Sequence, residues 1–412
     1  MAFTSINTDF DRHAQDLKPQ KTALILLAGL YFMMGFITCL NDSLVPFFKS
    51  GFDLNYAESS LVQFYFFVTY AIMSIPAGRI VEKTGYKKGM VLGFGIASFG
   101  SFLFLPASLF HQYEIFLGAL FILALGIVLL QVAANPYATL LGKPETASAR
   151  LALIQGIGSL GTTIAPLFGA HVILSHIGTQ HAIGALTIPY IGIGISLLLV
   201  AVIVSVIALP NIVTGANRNM DQGGRTLLSF RNLRFGTLAI FMYVGAEVTI
   251  GTFLTNYIAD LLAIQEHQAN SYVAFYWGGM LLGRLAGSIL LKSVQPQRML
   301  ISGAIIACAL ILTSILTSGM LAAWSLIALG ICNATMFAIV FSLSIQDLGK
   351  YTTRASGLLS TAIAGGAIIP YICGVIVDQY SWAWGFIPVL CCYSYLIFYG
   401  MNGYKHNTNQ VY

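Results

Sequence analysis

The sequence predicts an all-α membrane protein, twelve transmembrane helices in two six-helix pseudo-symmetric halves, and three observations lead there. The chain is 57% hydrophobic and 8% charged, with a mean hydropathy of +0.80, whereas a soluble domain carries about 25% charged residues. Apolar runs of about 20 residues, long enough to cross a bilayer, recur along the whole length. When these runs are alternated across a membrane, the basic residues gather on one side.

The spans fall at 23–46, 59–81, 88–108, 115–140, 150–175, 186–209, 234–258, 269–292, 298–318, 320–344, 354–377 and 382–402. With the N-terminus in the cytoplasm, nineteen Lys and Arg residues lie inside and only Lys49 lies outside. Eleven or thirteen spans would scramble that bias. The expected placement is therefore a multi-pass protein of the plasma (inner) membrane with both termini cytoplasmic, acting as a monomer in the lipid bilayer. The net charge of +5 is accounted for by this topology and gives no reason to expect a nucleic acid partner. Residues 1–20 are polar, no cleavable signal precedes the first span, and that span is expected to serve as an uncleaved start-transfer helix. All six cysteines lie within spans, without disulfide or zinc-ligand spacing, and read as small packing residues. No histidine lies mid-span. No cofactor or metal is expected. No nucleophile–base pair or phosphate loop points to an enzyme.

The longest polar interruption, 210–233, carries Pro, Gly, Asn and three arginines and reads as a cytoplasmic linker. It divides the chain into an N-terminal six-helix half, 1–209, and a C-terminal half, 234–412. The halves keep traces of each other. Gly78-Arg79 closes span 2, and Gly283-Arg284 lies in span 8, 205 positions on (283 − 78). Leu-Gly-Lys follows span 4 at 141–143 and span 10 at 348–350. Arg150 opens span 5 and Arg354 opens span 11, each with a proline sixteen residues later (Pro166, Pro370). These offsets fit two parallel repeats related by an axis along the membrane normal.

Two acids interrupt the apolar runs: Asp42 in span 1 and Glu247 in span 7. A charge at the centre of a bilayer costs at least ~2.5–3.5 kcal/mol on the insertion scale, so such residues face a polar path and carry function. They too lie 205 positions apart (247 − 42). Aligning Phe32-Met33 with Phe241-Met242 instead pairs Glu247 with Thr38, one helical turn away. Amides accompany the acids: Asn41 in span 1, Gln63 in span 2, Gln131 and Asn135 on one face of span 4, Gln155 in span 5, Asn256 in span 7 and Asn333 in span 10. Each alone can be interhelical glue of roughly 0.6–2 kcal/mol. Together they suit a polyhydroxylated ligand, whose hydroxyls both donate and accept. Phe64, Tyr65, Tyr272, Phe275, Tyr276 and Trp277 can stack on a sugar face or pack against lipid. Pro136 removes a backbone hydrogen bond after Asn135 and can release a carbonyl into a cavity.

The loop after span 2 runs Gly78-Arg-Ile-Val-Glu82-Lys83-Thr-Gly85-Tyr-Lys-Lys. It resembles the G-x-x-x-D/E-R/K-x-G-x-K/R signature of the major facilitator superfamily. That resemblance implies a gating role for Gly78, Glu82, Lys83 and Gly85, to which the repeat adds Arg150, Arg284 and Arg354. Small residues every four positions in span 5 (Gly161, Ala165, Gly169), span 8 (Gly279, Gly283, Gly287) and span 11 (Gly357, Thr361, Gly365) permit close helix contact. The segments LNDSLVP, LQVAANPYATLLG, RLALIQGIGSLGTTIAP, YVGAEVTIGTFLTNY, GRLAG and FSLSIQDLG are similar to the fucose–galactose–glucose cation symporter family, most of all to its glucose/galactose branch. The similarity spans nearly the whole chain. It implies secondary active import of a hexose by alternating access, with H⁺ or Na⁺ as co-transported cation. It also implies coupling at Asp42. In the fucose branch a span 4 glutamate shares that role, but Gln131 stands there in this chain, while Glu247 stands where that branch carries a glutamine. Alternatives at this stage are an L-fucose or other sugar symporter, a passive facilitator, and a non-transporting nutrient sensor.

Overall fold

The structure, a computed structural model, describes residues 21–52, 56–173, 186–210, 212, 226–264 and 266–405. Among them every regular element is helical. Eleven stretches are long and apolar enough to cross a membrane. The helices, numbered by the predicted spans, are α1 (Lys21–Gly51), α2 (Tyr56–Thr84), α3 (Tyr86–Phe102, continued by Phe104–Phe110), α4 (Tyr113–Leu140), α5 (Ala147–Phe168) and α6 (Thr187–Val206). The second half supplies α7 (Arg231–Leu262), α8 (Glu266–Leu290), α9 (Pro296–Leu316), α10 (Gly319–Asn333 and Met336–Ile345), α11 (Thr352–Thr361 and Gly365–Gln379) and α12 (Trp382–Gly385 and Ile387–Phe398). α5 is the span outside the eleven. It carries Arg150, Gln155, Ser159, Thr162 and Thr163, and its last turn widens into a π-helix at Gly169–Ile173. The linker foreseen at 210–233 lies largely outside the described residues.

Helices α4, α10 and α11 each carry a local irregularity. Pro136 sits inside α4 without ending it. Having no N–H, it leaves the Val132 carbonyl without its i+4 donor. Ser356 Oγ of α11 donates to that oxygen at 3.0 Å, so the freed carbonyl meets a neighbouring helix, whereas the sequence suggested a cavity. α10 breaks at Ala334 and Thr335, and side chains take both carbonyls beside the break, as described below. α11 tightens to a 3₁₀ turn at Ala362–Ala364.

The chain divides into two compact units. The first comprises residues 1–141, 157–219 and 350–361. Inside it, Ser98 Oγ donates to the Gly194 carbonyl at 2.7 Å, tying α3 to α6, and Phe104 stacks on Tyr190 with centroids 3.6 Å apart. Gly161 of α5 lets the Phe32 carbonyl of α1 approach where a Cβ would stand. The second unit comprises residues 142–156, 220–349 and 362–412. There Asn232 Nδ2 donates to three carbonyls ending α10, those of Leu343 at 3.3 Å, Ser344 at 3.0 Å and Gln346 at 3.1 Å. These are carbonyls for which a helix end has no partner of its own. α5 and α11 therefore each serve both units, changing allegiance at residues 156 and 361. Those two points are 205 positions apart (361 − 156), the same interval as the sequence repeat.

Candidate functional site

In the first unit the polar residues within spans sit on α1 and α4. Asn41 is buried, and its Oδ1 meets no hydrogen-bond donor among the described residues. Gln131 is half-buried, with an Oε1 in the same condition. One turn further along α4, Asn135 is buried and accepts a hydrogen bond from the Tyr31 hydroxyl of α1. Asp42 lies within helical α1, but its side chain and that of Gln63 lie outside the described residues. A buried oxygen without a donor costs about 1–3 kcal/mol, so Asn41 and Gln131 offer acceptors that a ligand's hydroxyls can fill.

The gating residues of the first unit converge at the end of α2. Glu82 Oε2 accepts from Arg354 Nε at 2.5 Å. Beside it, the Tyr86 and Thr353 hydroxyls share a hydrogen bond of 2.9 Å. A Cβ on Gly357 would stand 2.6 Å from the Ser74 carbonyl and 3.3 Å from Gly78 Cα, so glycines at both positions bring α2 and α11 into backbone contact. Gly85 turns the chain between α2 and α3 with φ +84, a conformation that favours glycine. Lys83 is exposed.

In the second unit a network gathers around Asn333, which is fully buried. Its Nδ2 donates to the Tyr276 hydroxyl of α8 at 3.0 Å, and its Oδ1 accepts from Tyr393 of α12 at 2.6 Å. Its own carbonyl, left open by the break in α10, accepts from Tyr243 of α7 at 3.0 Å. The Tyr276 hydroxyl donates a hydrogen bond to the Glu247 carbonyl at 3.2 Å. The Glu247 carboxylate pairs with Arg284 of α8, Oε1 to Nη2, at 3.4 Å. Arg284 Nε donates to the Ala334 carbonyl at 3.3 Å, the second oxygen released by the α10 break. Arg284, expected among the gating residues, thus meets Glu247, expected among the ligand residues. Gln155 is half-buried and Asn256 exposed. Arg150 is buried, and its guanidinium donates to the Lys143 carbonyl at 2.9 Å and to Thr146 Oγ1. Next to it, Ser148 and Ser342 share a 2.5 Å hydrogen bond. Of the aromatics, Tyr276 is buried in the network, whereas Phe64, Phe275 and Trp277 are exposed.

Sequence reasoning missed Asn232, Ser356, Tyr243 and Tyr393, while Tyr276 was expected to stack on a sugar face or pack against lipid. Pro136 was the available signal for Ser356, since a proline in a helix announces an acceptor four residues back. An asparagine opening an apolar run was the signal for Asn232.

A family model described as Major Facilitator Superfamily matches residues 26–370. The chain belongs to the Major Facilitator Superfamily. Among its superfamily relatives, a protein named glucose/galactose transporter from Brucella abortus is 42% identical over 410 residues, 98% of this chain and 99% of that one. The L-fucose-proton symporter of Escherichia coli is 31% identical, over 92% of this chain and 93% of the relative. A crystal structure of a Major Facilitator Superfamily transporter described as being in the outward conformation superposes with a TM-score of 0.85 at 29% identity, covering 92% of this chain and 98% of that one. This facilitator chain is accordingly a multi-pass membrane transporter and not an enzyme.

Proposed function

We propose that this protein imports a hexose of the glucose or galactose type together with a proton, by alternating access, in the plasma (inner) membrane with both termini cytoplasmic. The observation that carries the reading is the pair of buried amide oxygens, Asn41 and Gln131, that find no donor among the described residues of the first unit. Sugar hydroxyls supply such donors, and the likeness to a glucose/galactose transporter over nearly the whole chain supports the sugar class. The likeness to an L-fucose-proton symporter supports a proton as the coupled cation. Asp42 is the coupling acid in this reading. Gln131, Asn135 and Gln155 orient the sugar, and Asn333 braces the second unit. The six-plus-six division at 210–233 provides the moving bodies, with Glu82 and Arg354 as a latch between α2 and α11.

The experiment is uptake of labelled glucose, galactose and L-fucose into proteoliposomes under an imposed pH gradient, and separately under an imposed Na⁺ gradient. Accumulation of glucose or galactose driven by the pH gradient alone is expected. Accumulation driven only by Na⁺, or uptake indifferent to both gradients, would overturn proton coupling.

A further inference from the structure

The Tyr31–Asn135 contact of the first unit carries a consequence for sugar recognition that rests on the hexose reading above. An asparagine side chain has an acceptor oxygen at one corner and two N–H donors at the other. Which corner serves a ligand depends on what holds the amide. Here the Tyr31 hydroxyl of α1 donates to Asn135 Oδ1 of α4. The protein thereby engages the oxygen, and the N–H groups become the end from which a ligand can accept. Both side chains are buried, Tyr31 6% and Asn135 2% exposed, so bulk water does not compete for the bond. A phenol suits the task, because a rigid ring with two torsions carries its hydroxyl across the gap between helices at low conformational cost.

Helix α5 seats the tyrosine. Gly158 lies against its backbone: a Cβ there would stand 3.0 Å from the Tyr31 carbonyl and 3.2 Å from Tyr31 Cβ. One turn further along α1, Gly35 admits the Gly158 carbonyl, as Gly161 admits that of Phe32. Phe36 meets Phe168 of α5 edge-on, with centroids 5.4 Å apart. With its backbone closed against α5, this turn of α1 delivers the Tyr31 hydroxyl to α4. Asn135 lies one turn beyond Gln131 on the same face of α4. That face therefore presents two amides in opposite sense. Gln131 Oε1, like Asn41 Oδ1 on α1, is an acceptor with no donor among the described residues, whereas Asn135 is turned to donate.

We propose that Tyr31 is a positioning residue that sets the hydrogen-bond polarity of this face: Gln131 receives a hydrogen from one hydroxyl of the hexose, and Asn135 gives one to another. A hydroxyl can serve either partner, since it donates and accepts. A fluorine in its place accepts weakly and cannot donate. At the ring position facing Asn135, a deoxyfluoro sugar therefore binds better than the deoxy sugar. At the position facing Gln131, the two are equally poor. Without the Tyr31 hydroxyl, the Asn135 amide is free to turn either corner to the sugar, and the distinction fades.

The test uses the full chain in proteoliposomes as wild type, Tyr31→Phe, Asn135→Ala and the double variant. Counterflow of labelled glucose or galactose gives half-saturation and maximal rate, with the monodeoxy and monodeoxyfluoro forms of that sugar, one carbon at a time, as competitors. Wild type is expected to show a ring position at which the fluoro form competes at least about threefold better than the deoxy form. In Tyr31→Phe that ratio should fall to about one, and half-saturation should rise about three- to tenfold, the scale of one neutral hydrogen bond. Maximal rate should stay near wild type. In the Asn135→Ala background, Tyr31→Phe should leave half-saturation nearly unchanged, because the two residues act as one unit. A Tyr31→Phe variant that melts lower but keeps half-saturation and the fluoro-to-deoxy ratio would overturn the proposal, Tyr31 then being a brace alone. Additive rises in half-saturation from the two substitutions would overturn it too, as would a wild type that treats fluoro and deoxy forms alike at every position. No counterflow of glucose or galactose in wild type would instead overturn the hexose reading. The Tyr31–Asn135 pairing would then be judged by melting temperature in detergent, where non-additive losses in the double variant support it and additive losses dismiss it.

Discussion

Asn333 shows how much one side chain can hold in a membrane. It joins α8, α10 and α12 through its amide and α7 through its carbonyl, in a setting where an unsatisfied polar group is costly. Replacing it by leucine removes both amide contacts: Tyr393 loses the acceptor it has on Asn333, and Tyr276 loses a donor while keeping the Glu247 carbonyl. The expected loss is about 1–3 kcal/mol, seen as a lowered melting temperature in detergent, while the Asn333→Gln variant, which keeps the donor and acceptor, should lose less. Asp42 makes the opposite prediction. Asp42→Ala should leave melting close to wild type yet abolish concentrative uptake, with counterflow retained. Accumulation against a gradient by that variant would remove Asp42 from the coupling role. The sequence announced both residues, because a polar group inside an apolar run is conspicuous in one dimension. It could not announce their partners. Tyrosine is at home in lipid-facing, packed and hydrogen-bonded positions alike, so the ring of hydroxyls around Asn333 left no distinct mark. Arg284 was set among the gating residues by its repeat match with Arg79, and its partner on another helix, Glu247, left no mark in that match.

At the scale of helices, the spans were legible because length and hydropathy are properties of a contiguous segment. Their irregularities were less so, since the carbonyls opened in α4 and α10 meet donors from other helices. Proline in α4 gave half of one such event, an acceptor at Val132, and only the fold supplied Ser356 as the donor. The breaks in α10 and α11 carried no proline at all. Two pairs of substitutions check this account. Gly283→Val should separate α8 from α10, lowering both melting temperature and counterflow, whereas Gly278→Val, where an added Cβ meets nothing within 4 Å, should be tolerated. Asn232→Asp should be worse than Asn232→Ala, because a carboxylate would face three carbonyl oxygens that now receive an amide. A melting curve for Asn232→Asp that matches that of Asn232→Ala would dismiss the amide as the closure of α10.

For the whole molecule, the interval of 205 residues first met as a weak sequence repeat returns as the spacing between the two points where α5 and α11 change units. Repeat spacing was thus visible in the sequence, but its physical meaning was not, because allegiance of a helix segment is decided by contacts and not by composition. It follows that neither half of the sequence contains a complete unit. A chain cut in the linker should give two fragments, 1–215 and 216–412, that are polydisperse when expressed singly and that co-elute and restore counterflow when expressed together. A single fragment that elutes as a sharp monodisperse species would argue against shared construction. The same fact sets a timetable for synthesis. The first unit needs residues 350–361, so while the ribosome is still making α7 to α10 the Val132 carbonyl and the Glu82 carboxylate wait without the partners they will have. Until α11 emerges, the early helices must be sheltered in the membrane as unfinished work, and a pause or truncation late in the message would harm the oldest part of the protein.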